Sequence, residues 1–346
     1  MILSFFFGFI AVLAGTFLVI GYIISAPSHS GDKTDHYDGK KFINPGNIQA
    51  KGLKEVFQWM LQRKQGPWKE KSDSAYGEKP RSTITEGVKI TFVNHSTFLI
   101  QLDGMNILTD PVWSERTSPF PFVGPKRMKP TGIRLVDLPK IDYIILSHNH
   151  YDHLDIQTLK SLYKVHHPKI ITPLGVKAYL DSHQIVSATD LDWWQEISVS
   201  DSLVIQSVPA QHFSGRGIFD RDSTLWCGYV IRNHRGNIYF AGDTGYNEHT
   251  FKEIGARCAP VSIALIPIGA YKPVWFMSPI HCSPAEAVKI HFDVKSAQSI
   301  ATHFGTFALA DDGEDEPISD LALAMKQAQL ASNKFLALKE GEGRLF

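Results

Sequence analysis

The stretch Ser147-His148-Asn149-His150-Tyr151-Asp152-His153-Leu154-Asp155 follows directly on the apolar run from Ile141 to Leu146. His148, His150, Asp152 and His153 place three imidazoles and a carboxylate within six residues. An apolar run that ends in such a loop reads as a strand opening into a site. Alternate residues diverge at a strand end, so His148 and His150 can face one cation while Asp152 and His153 turn toward a second. Imidazole and carboxylate suit Zn²⁺, at about 2.0 to 2.2 Å per bond.

Two ions need further ligands, and three residues stand where such ligands belong, each just past an apolar strand-like run. His212 follows LVIQSVPAQ, Asp243 follows NIYFAG and His303 follows SIAT. Alone, a histidine at a strand end reads as an ordinary solvated side chain, and Asp243 after Gly242 reads as turn chemistry. Taken with the histidine-rich loop, the repeated placement predicts that all three join the same centre.

The surrounding chain reads as an α/β protein. Short β-rich runs are expected at 89–92, 97–102, 106–108, 143–146, 203–208, 227–232, 238–241, 262–267 and 299–301. Helical spacing is expected at 53–62, 156–164, 176–183, 284–292 and 318–330. Together they predict two sheets covered by helices. The acidic run from Asp311 to Glu316 reads as a solvated loop. Asn94 to Thr97 reads as a structural turn bordering the site, and Trp193-Trp194 as core or a positioning wall.

Composition narrows the function. The 346 residues are 43% hydrophobic and 20% charged, which excludes disorder as the main state. Lys plus Arg and Asp plus Glu are 35 each, and zero net charge without a basic, aromatic stripe argues against a nucleic-acid partner. Three cysteines, Cys227, Cys258 and Cys282, are too few and too scattered for a disulfide framework or a thiolate metal site. The chain has no Walker loop, no Gly-x-Ser-x-Gly elbow and no His-Glu-x-x-His helix.

At the N-terminus no charged residue occurs before Asp32, and Phe5 to Ile24 is almost wholly apolar. About twenty such residues match the roughly 30 Å hydrocarbon core of a bilayer. Residues 1–25 therefore read as an uncleaved single-pass membrane anchor, with a cleaved signal peptide as the competing reading. Lys33, Lys40 and Lys41 lie after the apolar run, which puts the remainder on the cytoplasmic side by the positive-inside rule. Residues 26–86 read as an extension packed on a catalytic domain of residues 87–346.

The pattern His-x-His-x-Asp-His with later His, Asp and His resembles the metallo-β-lactamase superfamily, which implies an αβ/βα sandwich with a binuclear metal site at one sheet edge. Residues 40 to 310 are similar to the N-acylphosphatidylethanolamine-hydrolysing phospholipase D family. The likeness lies in Lys41 to Pro45, Leu191 to Trp194, Ala210 to His212, Phe240 to Tyr246, His281 with Pro284 to Val288, and His303 to Leu309. It implies that His148, His150 and His212 hold one Zn²⁺, that Asp152, His153 and His303 hold the other, and that Asp243 bridges them. It also implies substrate contacts from Tyr151 and His281.

The expected reaction is hydrolysis of a membrane phospholipid, N-acylphosphatidylethanolamine, to N-acylethanolamine and phosphatidic acid. Its nucleophile would be a metal-bridging hydroxide made available at neutral pH by two zinc ions, with Asp152, Asp243 and His281 as catalytic groups. His281 would orient the substrate or protonate the leaving oxygen. The same type of centre serves lactones and other phosphodiesters, so a hydrolase of another substrate is the alternative. A homodimer is compatible with either reading.

Overall fold

The computed structural model describes residue 12, residues 15–69 and residues 76–346. The first half contributes β1 (Val88–Asn94), β2 (Thr97–Leu102), β3 (Met105–Thr109), β4 (Tyr143–Ile145), β5 (Lys169–Pro173) and β6 (Ala188–Leu191). The second half contributes β7 (Glu196–Ser200), β8 (Leu203–Pro209), β9 (Cys227–Arg232), β10 (Asn237–Phe240), β11 (Val261–Pro267) and β12 (Ser296–Thr302). Two short strands, β13 (Phe335–Leu336) and β14 (Gly343–Leu345), complete two mixed seven-stranded sheets. Their orders are β14-β1-β2-β3-β4-β5-β6 and β13-β12-β11-β10-β9-β8-β7. This is the expected metallo-β-lactamase sandwich.

A side-chain period of two decides which face of each strand meets which core. In the first sheet Ile90, Phe92, Ile100, Ile107, Ile145 and Ile171 point inward against Ile205, Tyr229 and Tyr239 of the second sheet. Their neighbours Leu99, Leu108, Ile144 and Ile170 point outward, where α2 (Ile156–His166) and α3 (Val176–Ser182) cover them. With both faces buried, these strands read as continuous apolar runs rather than alternating ones. The second sheet is covered by α4 (Glu248–Arg257), α6 (Pro284–Asp293) and α7 (Glu316–Gln327), through Phe251, Ile254, Val288 and Leu321. Strands β5, β6, β7, β13 and β14 and helix α4 fall outside the expected elements. In α4 the apolar contribution rests on Phe251 and Ile254 amid polar residues, too thin a stripe to read from spacing.

The acidic run is not a solvated loop: Asp311, Asp312 and Glu314 are buried. The cause is the preceding extension, whose backbone and indole donors need acceptors. Asp311 accepts from the Trp59 indole (3.0 Å) and the Lys64 amide (3.1 Å), Glu314 accepts from the Lys69 amide (3.0 Å), and the Asp312 carbonyl accepts from the Trp68 indole (3.0 Å). Helix α1 (Leu53–Gln62) thereby lies beside the short α5 (Val274–Met277), with Trp59 stacked on Phe276 at 5.1 Å.

The expected membrane anchor is not supported, and the cytoplasmic placement that rested on it goes with it. No helix among the described residues is long and apolar enough to cross a membrane. Among the described residues, 12 and 15–24 are helical. Their end is tied into the domain, where the Ala26 amide donates to Asp220 Oδ2 at 2.8 Å and the Phe219 amide donates to Ser25 Oγ at 3.3 Å. The rest of the apolar run, at residues 5–11, 13 and 14, lies outside the described residues.

Replacing Asp311 by Ala strands the Trp59 and Lys64 donors. The expected cost is about 1–3 kcal/mol, the range for leaving a buried partner unsatisfied. It is checked by denaturant unfolding, with limited proteolysis showing earlier cleavage within residues 53–69.

Candidate metal centre

The histidine-rich loop leaves β4 between two parallel neighbours, β3 and β5, and its shape is set by buried polar partners. Asp110, immediately after β3, is buried. Its carboxylate accepts from the Ser147 amide (2.7 Å), the Ser147 hydroxyl (2.6 Å) and His153 Nδ1 (2.7 Å). At the far end Asp155 caps α2, accepting from Gln157 and Thr158 amides, and also holds the Trp113 and Ser114 amides. In between, Arg216 donates to the Asn149 and Leu154 carbonyls, and the Gly215 amide donates to Asn149 Oδ1. Asp110 and Arg216 thus fix the loop from outside, while the His153 and Leu154 amides close its turn on the His150 carbonyl.

The other strand ends deliver their residues to the same cleft. Gly242 ends β10 with φ +62, and a Cβ there would stand 2.6 Å from Ser147 Cβ, so only glycine lets Asp243 approach the loop. His303 follows β12 at φ +58, and its amide donates to the His95 carbonyl at 2.8 Å. His212, beyond β8, donates from Nδ1 to the Ile280 carbonyl at 2.8 Å, which aims Nε2 into the cleft. Its backbone is clamped on both sides by Asn44, whose Oδ1 accepts from the His212 amide (2.9 Å) and whose Nδ2 donates to the His212 carbonyl (2.7 Å).

All seven expected ligands converge. Donor atoms of His148, His150 and His212 form one group within 4.8 Å of one another, and those of Asp152, His153 and His303 form a second with His95. Asp243 Oδ2 stands between them, 3.1 Å from both His153 Nε2 and His303 Nε2 and 3.7 Å from His212 Nε2. Burial pushes His150 and His212 down to about 3 and His148 well below the ordinary histidine range, so their rings are neutral with lone pairs to offer. Against a burial that disfavours charge, His153 holds Asp152 and Asp243 well below the ordinary carboxylate range. Three neutral imidazoles, His148, His150 and His212, beside two ionised, buried carboxylates are a donor set for divalent metal ions, and the Asp243 Oδ1 atom, buried with no hydrogen-bond partner among the described residues, fits the same conclusion.

Two residues of the site were not on the expected ligand list. His95 Nε2 lies 3.0 Å from Asp152 Oδ2, so the turn read as structural reaches the centre. Asp110 carries the same signal as Asp243 and His303, a polar residue just past an apolar strand, and could have been found by it. The expected substrate contacts separate. His281 stands at the cleft, its Nδ1 3.9 Å from Asp243 Oδ2, and burial pushes it down to about 3. Tyr151 turns away from the ligands; it donates to the Arg216 carbonyl at 3.1 Å and lines a neighbouring cavity of about 520 Å³ walled by Ile24, Phe120, Leu154 and Tyr179. Trp193 packs on His36 and the Trp226 carbonyl rather than on the centre.

Two outcomes follow from these partners. Asn44→Ala releases the His212 backbone and is expected to weaken binding of a divalent metal ion, with Zn²⁺ as the probe, about 10–100-fold, as read by competition with a chromophoric chelator. In the metal-free chain, burial lowers His303 but Asp243 and Asp152 outweigh it and raise it to about 9, while Asp243, Asp152 and Asp110 raise His153 well above its usual range. A cation must displace these protons, so binding at pH 7 should release protons and strengthen as pH rises toward 9. Calorimetry in buffers of different ionisation enthalpy measures the release. The sign is opposite for the metal-free fold: a group raised on folding stabilises fully below its unfolded value near 6.5 and loses that contribution through about 9. Its unfolding temperature should fall between those limits.

Comparison with known proteins agrees with this geometry. The family model of the beta-lactamase superfamily domain matches residues 105–304. An uncharacterized protein of Mycobacterium tuberculosis is 43% identical over 68% of this chain and 63% of its own length. The N-acyl-phosphatidylethanolamine-hydrolyzing phospholipase D 1 of Caenorhabditis elegans is 38% identical over 64% of this chain and 65% of its own. The chain thus spans under two thirds of the length of both relatives. Among solved structures, a metallo hydrolase of the archaeon Ignicoccus hospitalis superimposes with a TM-score of 0.56 at 24% identity, over 75% of this chain and 99% of that one. With its two mixed sheets, its strand-end cluster and a family match across that cluster, the chain belongs to the metallo-β-lactamase superfamily.

Proposed function

We propose that the chain is a two-zinc phosphodiesterase of the phospholipase D type, hydrolysing N-acylphosphatidylethanolamine to N-acylethanolamine and phosphatidic acid. The observation that carries the reading is the position of Asp243 Oδ2 between two groups of donors. His148, His150 and His212 would hold one ion and Asp152, His153 and His303 the other, with Asp243 shared between them. Zinc held there supplies positive charge to the phosphoryl oxygens and a water acidified for attack at neutral pH. The substrate class is supported by the 38% identity to the nematode phospholipase.

The chain's own residues then have defined tasks. Asp152 and Asp243 would be held ionised by the cations they bind, and with only two carboxylates against two divalent ions the cleft is left short of negative charge, which favours a monoanionic phosphodiester. His281, at the cleft beside His212 and His303 with ring centroids 5.1 and 5.2 Å away, orients the phosphoryl group by a hydrogen bond from its neutral ring. Tyr151 lines the adjoining cavity, where Ile24, Phe120, Leu154 and Ile156 offer apolar surface to an acyl chain beside the charged Glu115, Arg116 and Arg216. Water adds to phosphorus as the bond to the N-acylethanolamine oxygen breaks, and that oxygen leaves with a proton.

The test counts zinc per purified chain and assays N-acylphosphatidylethanolamine beside a bis-aryl phosphodiester and a lactone. Two zinc ions with release of N-acylethanolamine support the reading. Asp243→Asn should lower bound zinc and turnover together, the latter by at least about a hundredfold. Two zinc ions with turnover of the lactone alone would move the substrate elsewhere, and a chain that binds no metal would overturn the centre itself.

A further inference from the structure

Behind the second ligand group, on the side away from Asp243, lies a small cavity of about 10 Å³. His95, His303 and Asp312 reach it, between Trp68 and the rings of Phe304 and Phe307. Three polar atoms, His95 Nδ1, His303 Nδ1 and Asp312 Oδ1, are buried and have no hydrogen-bond partner among the described residues. The cavity is close to the least volume that holds one water, and its remaining lining is largely apolar, so these atoms have little but one another to answer to. Asp312 is itself held in place: Oδ2 accepts from the Ala270 amide at 3.1 Å, and its carbonyl accepts from the Trp68 indole at 3.0 Å.

We propose that Asp312 is a positioning residue of the metal centre, acting through one buried water on the Nδ1 sides of His303 and His95. The inference rests on His303 being a metal ligand. The hydrogens then balance. His95 Nε2 faces a carboxylate oxygen of Asp152, which can only accept, so Nε2 carries the hydrogen and Nδ1 of the neutral ring is an acceptor. His303 offers its Nε2 lone pair to a cation, so its Nδ1 carries a hydrogen and is a donor. A water that accepts from His303 and donates to His95 and to Asp312 makes three bonds, the usual number for a buried water. The Asp312 charge at the end of this chain makes His303 a stronger ligand and fixes its ring. Through His95 the same water steadies Asp152, so one carboxylate outside the centre orients two of the residues that would hold the second ion, His303 and Asp152. The acidic run and the extension strand that carries Trp68 thereby gain a connection to the metal site.

The test uses the full chain, Asp312→Asn and His303→Ala, with Zn²⁺ as the probe. Zinc stoichiometry and the affinity of each site are measured by chelator competition, and nitrogen NMR of the histidine rings reads the tautomers in the zinc-loaded unsubstituted protein. The expected result is protonated Nδ1 on His303 and protonated Nε2 on His95. Asp312→Asn should retain the first zinc unchanged, weaken the second about 10–100-fold and move the His303 Nδ1 signal. Asp315→Asn, at an exposed neighbouring carboxylate, should do neither. If His303→Ala loses one zinc but Asp312→Asn changes neither affinity nor the His303 signal, the relay is overturned while the ligand assignment stands. If His303→Ala keeps both zinc ions at full affinity, the ligand assignment falls and the relay with it. Should Asp312→Asn fail to fold, the tautomers of the unsubstituted protein decide alone: a bare Nδ1 on zinc-loaded His303 overturns the proposal.

Discussion

A buried carboxylate that cannot be left without positive partners governs this structure. Asp243 lies at the end of a central strand, 3.1 Å from His153 and from His303, and the second carboxylate, Asp152, faces His95, His153 and His303 within 3.4 Å. Isolated negative charge in such surroundings is costly enough that the fold would otherwise protonate it. Imidazoles from three different segments, at His95, His153 and His303, answer it, and neutral imidazoles on the other side leave lone pairs facing the same space. Binding of metal ions is the arrangement's natural completion.

That convergence depends on an outer layer of polar contacts as much as on the ligands. Asp110 sets the orientation of His153, the Ile280 carbonyl sets His212, and Asn44 holds the His212 backbone from a segment nearly 170 residues earlier. Each contact satisfies a donor that would otherwise be buried alone, so the same bonds that keep the interior solvated by itself also aim the ligands. The extension is therefore structural support for the site. Its indole and amide donors draw Asp311, Asp312 and Glu314 inward, against the tendency of an acidic run to face water.

The cavity beside Tyr151 gives the site a second character. One side of the histidine-rich loop carries the cluster of donor atoms, and the opposite side, through Tyr151, Leu154 and Ile156, lines a cavity of mixed apolar and charged residues. A substrate with a charged phosphodiester and long acyl chains has both needs. The helical residues 15–24 end at this cavity through Ile23 and Ile24 and are bound to the domain there by the Ala26 amide on Asp220.

Local chemistry made much of this legible. Fully buried strands announce themselves as apolar runs, and β2, β9 and α1 fall where the pattern predicts. The histidine loop and the three later strand-end residues could be named because a buried strand that ends in a polar residue projects it at the sheet edge, whatever the rest of the chain does. What the residues alone could not settle depends on partners remote in sequence. Whether an acidic run is solvated is decided by the donors of another segment; whether His95 is turn chemistry or part of the centre is decided by how β1 and β12 come together. Whether an apolar terminal run spans a membrane depends on what it is tied to. Only the packed sandwich brings residues 44, 95, 110, 152, 212, 243 and 303 within reach of one another, because burial couples groups by distance in space and is indifferent to distance along the chain.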